Sequence, residues 1–140
     1  MRAAIVQTCV DYRLNHELLR IQVQHKLTSL RVSAQRIFIL NEIGGNFSEN
    51  FRNTVDLLLR SNNEIVVAAV LHHDDCLAEK QGLKRPMPET IAQVSDFLKK
   101  QNVNCALVSG NIHTVNNHII WDDDRQSERR PIFGARIRNR

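Results

Sequence analysis

The feature that most constrains the fold is an unbroken apolar run of seven residues, IVVAAVL, at Ile65–Leu71. Its length and its β-branched residues are typical of a strand buried on both faces of a sheet. Less continuously apolar runs at Ala3–Cys9, Arg36–Leu40 and Val103–Val108 indicate three more such strands. Strands of this kind need helices over both faces, which favours an α/β protein.

Helical patterns separate these runs. The first is an apolar stripe at spacings of three and four residues, formed by Leu19, Val23, Leu27 and Leu30. Asn15 precedes this stripe and is a candidate N-cap for the helix. Asn46 and Glu49 resemble a capping box for a second helix, whose stripe is Phe47, Phe51, Val55, Leu58 and Leu59. Pro88 suits the first turn of a third helix, whose stripe is Ile91, Val94, Phe97 and Leu98.

The alternation of strands and helices predicts parallel crossovers, and therefore a three-layer α/β domain with a mostly parallel central sheet and helices on both faces. Ser109–Gly110 is predicted to be a turn, and His118–Trp121 a fifth strand. We expect residues 1–124 to form this single domain, with residues 125–140 as an arginine-rich tail.

The net charge of +4 is concentrated in the tail, which has six arginines and one acid, Glu128. The rest of the chain has 13 basic and 14 acidic residues, a balance of −1. A basic tail suits nucleic acid or an anionic surface. We favour a solvated terminus or packing arm, because the tail has no aromatic side chain for base stacking apart from Phe133.

The three cysteines are an odd number at wide spacing, which argues against a disulfide framework and for a reducing compartment. No apolar run approaches the 18 residues of a membrane span, and the N-terminus does not resemble a signal peptide. The expectation is a cytoplasmic protein with no membrane partner.

Potential metal ligands follow two of the predicted strands. Cys9 ends the first, and His73 and Cys76 follow the third. Because the carboxyl ends of parallel strands form sites at one edge of a sheet, these three side chains converge if the two strands are neighbours. Two thiolates and an imidazole suit Zn²⁺ and leave a fourth position open. Burial as ordinary core cysteines is the alternative, and it is our interpretation of Cys105, which lies inside a predicted strand.

The pattern Cys9-x-Asp11-x-Arg13 together with His73-x-x-Cys76 resembles the β-class carbonic anhydrase family. The resemblance covers about residues 1–122 and includes the turn at Gly44–Gly45. It also includes the segment 108–121, which is similar to the family's late strand, turn and antiparallel strand. By this resemblance, the fifth strand is antiparallel to the other four.

The resemblance implies one Zn²⁺ per chain, held by Cys9, His73 and Cys76. It implies hydration of carbon dioxide to bicarbonate by a zinc-bound hydroxide, which the carboxylate of Asp11 orients. Arg13 would hold Asp11 ionised and in place through a charge-assisted hydrogen bond. The family includes members whose fourth zinc position is open and members in which the aspartate closes it, and both arrangements remain open for this sequence. In an extended segment alternate side chains lie on one side, which would explain the spacing of two. His72, Asp74 and Asp75 are interpreted as residues that support the ligands or face solvent.

Three departures from the family separate this sequence from a standard member. The turn at 41–45 lacks the family's arginine, and Leu77 stands where a glycine is common. The sequence also begins directly at the first strand, so it resembles a short member without the N-terminal helical arm that wraps a partner. A homodimer or higher homo-oligomer is still expected. Two alternatives remain open: hydrolysis of carbonyl sulfide or carbon disulfide at the same site, and a non-catalytic zinc-stabilised binding module that uses the basic tail.

Overall fold

The computed structural model describes residues 1–123, so the expected arginine-rich tail lies outside the described residues. Its sheet consists of five strands: β1 (Arg2–Cys9), β2 (Arg36–Glu42), β3 (Glu64–His73), β4 (Ala106–His113) and β5 (His118–Trp121). Four helices are described: α1 (His16–Ser29), α2 (Glu49–Arg60), α3 (Leu77–Lys80) and α4 (Met87–Lys100). Within residues 1–123, no helix combines the length and the apolar character that crossing a bilayer requires.

The strand order is β2-β1-β3-β4-β5. β1 lies between β2 and β3 and is parallel to both; β4 is parallel to β3, and β5 is antiparallel to β4. The predicted fold class is therefore confirmed, including the single antiparallel strand. The neighbouring positions of β1 and β3 bring their carboxyl ends to the same edge of the sheet.

Each face of the sheet is covered by helices, as predicted. Alternate residues of β1 point to opposite faces: Ala4 and Val6 belong to the core under α1, whereas Ala3 and Ile5 belong to the core under α2 and α4. The helical residues of the first core include Leu19, Val23 and Leu27, and those of the second include Phe51, Val55, Val94 and Leu98. The long strand β3 runs between both cores, which explains its continuous apolar sequence.

The N-caps confirm one sequence prediction and contradict another. The side chain of Asn15 accepts hydrogen bonds from the backbone of Glu17 and Leu18 at the start of α1. The capping box at Asn46 is wrong, because α2 begins at Glu49 and its N-cap is Ser48, whose hydroxyl accepts from the Phe51 amide at 3.3 Å.

Asn46 instead ties the end of the 3₁₀ turn Ile43–Gly45 to the segment after α3. Its amide group donates to the Leu83 carbonyl at 2.8 Å and accepts from the Arg85 amide at 2.9 Å. The backbone carbonyl of Asn46 accepts from the side chain of Gln7 at 2.6 Å. These bonds fix a loop that lies next to the carboxyl end of β1.

The predicted turn at Ser109–Gly110 is also wrong, because both residues lie inside β4, which begins three residues later than predicted and ends at His113. Gly110 pairs with Trp121 of β5, and a Cβ atom at Gly110 would lie 2.8 Å from the Ile120 carbonyl oxygen. Glycine is needed at this position for the close approach of two strands rather than for a turn. The sequence patterns did not predict the short helix α3.

Candidate metal centre

Three side chains that could hold a metal meet where β1 and β3 end. Cys9 is the last residue of β1, His73 is the last residue of β3, and Cys76 is the N-cap of α3. All three are buried, with exposed fractions of 4%, 2% and 2%. The strand order thus brings together the three residues that the sequence identified as candidate ligands.

The donor atoms of Cys9, His73 and Cys76 form a compact group in which every pair lies within 4.8 Å. The two sulfur atoms are 3.8 Å apart. Ligands about 2.0 to 2.3 Å from a common zinc ion lie this close to one another in a tetrahedral site. The donor set and its spacing therefore fit Zn²⁺ with three protein ligands.

The orientation of His73 also fits a metal ligand. Its Nδ1 lies 2.8 Å from the backbone carbonyl of Asp74, an acceptor, so this nitrogen carries the proton. Its Nε2 therefore presents a lone pair, and this buried atom has no hydrogen-bond partner among the described residues. A buried nitrogen without a partner is costly, and a metal ion would satisfy it.

Asp74 holds the His73 loop against the β4–β5 turn. Its carboxylate accepts from the Thr114 amide at 3.0 Å and from the Thr114 hydroxyl at 2.8 Å, and it contacts His113 Nδ1 at 3.0 Å. The hydrogen bonds from Thr114, followed by the one with His113, lower the pKa of Asp74 to about 2. Asp74 therefore supports a candidate ligand from outside the metal site.

Asp11 and Arg13 form a two-point ion pair beside these ligands. Arg13 donates from Nε to Asp11 Oδ1 at 3.0 Å and from Nη2 to Asp11 Oδ2 at 2.8 Å. Asp11 Oδ2 is also 3.7 Å from Nε2 of His73. The carboxylate thus faces the candidate metal position while both of its oxygens are bound by the guanidinium.

The spacing of Asp11 and Arg13 has a different cause from the one expected. The segment is a tight turn rather than an extended strand: the Leu14 amide donates to the Asp11 carbonyl at 3.1 Å, and the Arg13 amide donates to Asp11 Oδ1 at 2.9 Å. An aspartate that binds the amide two residues later is a common turn former. The turn folds Arg13 back over the Asp11 carboxylate.

The pKa values follow from these contacts. The side-chain hydrogen bond from Arg13 lowers the pKa of Asp11 to about 2, so Asp11 is ionised at neutral pH. Burial, followed by the neighbouring thiol of Cys76, raises the pKa of Cys9 to about 11. Without a metal, Cys9 therefore keeps its proton, and a bound cation would have to displace it.

A cavity of about 260 Å³ opens beside Cys9 and Asp11. Its walls are mostly apolar: Val10, Ile43, Gly44, Leu77, Ala78, Gln81 and Leu83. Leu77, which stands where a glycine was expected from the resemblance, lies on this wall, and the residue is 67% exposed. The bonds from Asn46 hold Leu83 at the same wall.

Asp75 contacts Arg13, a contact that the sequence pattern did not reveal. Arg13 Nη1 donates to Asp75 Oδ2 at 3.0 Å, and Arg13 Nη2 donates to the Asp75 carbonyl at 2.9 Å. The sequence shows only that Asp75 precedes the candidate ligand Cys76, whereas the contact depends on how two loops meet. The position of Asp75 next to the candidate ligand Cys76 was the one feature of the sequence that pointed to a role for Asp75 at this site.

Cys105 and His72 lie away from the metal position. Cys105 precedes β4 and packs against the core under α2 and α4, as the sequence predicted for a packing cysteine. His72 alternates with His73 along β3, and its side chain is buried on the opposite face of the sheet from His73. Burial, followed by the charge of Lys84, lowers the pKa of His72 to about 4.

No protein-family model matches the chain, and no curated protein matches it in sequence. Solved structures do match it. A carbonic anhydrase from Streptococcus mutans has a TM-score of 0.51 at 14% identity, over 84% of this chain and 80% of the other. A carbonic anhydrase from Glaciozyma antarctica has a TM-score of 0.50 at 15% identity, over the same shares of the two chains.

A mutant of the β-carbonic anhydrase CafD from Aspergillus fumigatus has a TM-score of 0.51 at 13% identity. The match covers 86% of this chain and 88% of CafD. At such low identities the likeness establishes the fold alone. The chain therefore has a fold like that of the β-carbonic anhydrases.

Proposed function

We propose that the protein is a zinc-dependent enzyme that hydrates carbon dioxide to bicarbonate. The observation that carries this proposal is the Asp11 carboxylate, which faces the Cys9, His73 and Cys76 group while Arg13 binds both of its oxygens. A purely structural zinc site does not need an ionised carboxylate held near the metal position.

The residues of the chain fit the steps of this reaction. A zinc ion bound to the three ligands would supply a Lewis acid that ionises water near neutral pH. Asp11, kept ionised by Arg13, accepts a hydrogen bond from the attacking water and directs its lone pair toward the substrate. The proton lost in forming bicarbonate from carbon dioxide and water passes to solvent.

The cavity suits a small neutral substrate. Its apolar wall at Val10, Ile43, Leu77 and Leu83 offers few hydrogen bonds to water, so an uncharged molecule such as carbon dioxide enters at little desolvation cost. Bicarbonate, which is charged, is disfavoured by the same wall and is released to solvent.

Stopped-flow hydration of carbon dioxide by the zinc-loaded protein tests the proposal. We expect a rate above that of buffer, and a loss of about a hundredfold in kcat for Asp11→Asn with zinc content unchanged. Asp56→Asn, which breaks a surface pair with Arg60 on α2, is the matched control and should keep the full rate. A protein that holds one zinc but gives no rate above buffer would contradict the proposal.

The volume and apolar lining of the cavity also fit a second candidate reaction, hydrolysis of carbonyl sulfide or carbon disulfide. These molecules are also small, linear and neutral; sulfur makes them larger and more polarisable than carbon dioxide, and about 260 Å³ accommodates either. Release of sulfide, assayed beside carbon dioxide hydration on the same zinc-loaded sample, separates the two reactions.

A further inference from the structure

We propose that Asp75 is a positioning residue that fixes the guanidinium of Arg13, and thereby keeps Asp11 from occupying the metal's fourth coordination position. This inference rests on the proposed function, because it concerns the same metal centre. It adds a residue that the Asp–Arg pair alone does not include.

The contacts of Arg13 carry the proposal. Its guanidinium makes four hydrogen bonds: two to the Asp11 carboxylate, one to the Asp75 carboxylate and one to the Asp75 carbonyl. The two aspartates therefore bind different edges of one planar group. If Asp11 turned away, Asp75 would still hold Arg13 in its present orientation, ready to bind Asp11 again.

The backbone at Asp75 supports this arrangement. Its φ angle is +51°, in the left-handed region that aspartate and asparagine tolerate better than most residues. This conformation lets both the carbonyl and the carboxylate of Asp75 reach Arg13. The remaining carboxylate oxygen, Oδ1, binds Lys80 of α3 at 2.5 Å on the solvent side, where the Lys80 side chain is 62% exposed.

The position of Asp75 in the chain links the two loops of the site. Arg13 and Asp11 follow Cys9, whereas Asp75 directly precedes Cys76. The contact between Arg13 and Asp75 therefore joins the loop after β1 to the loop after β3. Without it, the Asp11 pair would be the one side-chain restraint on the Arg13 guanidinium among residues 1–123, and this side chain is 30% exposed.

Loss of Asp75 should free Arg13 and allow Asp11 to bind the metal. Asp75→Asn removes the charge and keeps a residue that tolerates positive φ. Asp75→Gly removes the side chain and tolerates the same backbone. Lys80→Met is the matched control, because it removes the other partner of Asp75 and leaves the contact with Arg13 in place.

The test uses the cobalt-loaded protein, whose visible spectrum reports the ligands of the ion. Thiocyanate, the probe, binds at a fourth position that solvent occupies and must compete with Asp11 if the carboxylate has moved there. We expect Asp75→Asn and Asp75→Gly to weaken thiocyanate binding by about fivefold to tenfold, with one cobalt still bound per chain. Lys80→Met should change it by less than about twofold.

A double variant shows whether Asp75 acts through Asp11. In an Asp11→Asn background no carboxylate can take the fourth position, so adding Asp75→Gly should have no further effect on thiocyanate binding. An unchanged thiocyanate affinity in Asp75→Gly overturns the inference. So does an equal loss in the Asp11→Asn background, which would mean that Asp75 acts on the metal by another route.

A second measurement uses the metal-free protein. Hydrogen exchange of the Arg13 Nε–H group, followed by NMR, should be about fivefold faster in Asp75→Gly than in the wild type and unchanged in Lys80→Met. Equal exchange in all three proteins overturns the inference. Neither thiocyanate binding nor hydrogen exchange depends on turnover. Absence of carbon dioxide hydration would therefore reject the proposed function, whereas these two measurements alone decide the inference about Asp75.

Discussion

The Cys9 thiol is a group through which pH acts on the metal centre. Burial and the nearby sulfur of Cys76 both disfavour its thiolate, which raises its pKa to about 11. A zinc ion binds the thiolate rather than the thiol. Because the site is buried, the Cys9 thiol therefore stays protonated in the metal-free protein.

This predicts that zinc affinity rises with pH through the neutral range. Below a pKa of about 11 the metal-free Cys9 holds a proton, so each bound zinc displaces at least this proton and the affinity should increase about tenfold per pH unit for each proton released. Competition with a chromophoric chelator between pH 6 and pH 8 measures the slope. Acidification should remove the metal.

Variants at two cysteines provide controls for the measured pH dependence of zinc affinity. Cys105→Ser lies outside the site and should leave the slope and the affinity unchanged, whereas Cys76→Ser should weaken zinc binding because it removes a ligand. A flat affinity across this pH range would contradict the proposed role of Cys9.

At the scale of elements, the contact between β4 and β5 holds the last strand on the sheet. β5 has only four residues, and Gly110 allows its backbone to approach β4 closely at Trp121. Ile119 and Trp121 belong to the core under α1, which also contains Cys9 and Cys76. The β4–β5 turn further supplies Thr114, which binds the Asp74 carboxylate beside His73.

Gly110→Ala should therefore destabilise the protein. The added Cβ would lie 2.8 Å from the Ile120 carbonyl oxygen and 3.2 Å from the Trp121 Cα, so the strands must separate. We expect a loss of about 2 kcal/mol in the free energy of unfolding, measured by urea denaturation. Val115→Ala, at an exposed position in the β4–β5 turn, should have an effect below about 0.5 kcal/mol. An unchanged urea midpoint for Gly110→Ala would show that β4 and β5 are not in close contact here.

For the whole molecule, charge and chemistry lie in different parts of the chain. The candidate ligands, the Asp–Arg pair and the cavity all lie within residues 9–83, whereas the basic excess lies in residues 125–140. The alternative of a zinc-stabilised binding module places the function in the tail. The enzyme proposal places it at the sheet edge.

Truncation after Asp124 separates these two functions. The enzyme proposal predicts that zinc content and the carbon dioxide hydration rate stay within about twofold of those of the full chain, since no site residue is removed. The binding-module alternative predicts salt-sensitive binding to an acidic polymer, with loss of that binding on truncation. Heparin binding at two salt concentrations, measured beside the hydration rate, distinguishes them.

The expected homodimer stays a prediction, which the oligomeric state of the full and the truncated chain in solution would test.

Much of the fold and of the candidate site was predictable because it depends on local patterns and on one rule of topology. The apolar runs identified five strands, and Asn15 identified the start of α1. The sequence patterns at Asn46 and Gly110 predict the wrong local structure for one reason. Both residue types are common at helix starts or turns, but here each serves a contact with a segment distant in sequence.

The sequence by itself determined the fold class and the three candidate ligands, since buried parallel strands have a recognisable composition and their carboxyl ends meet at one edge. Only the tertiary structure decided that Asp11 and Arg13 form a turn, and that Arg13 also binds Asp75 across the site. Hydrogen bonds between loops depend on distances of a few tenths of an ångström and on the direction of each donor. No spacing along the chain encodes these quantities, because they arise when β1 and β3 lie side by side.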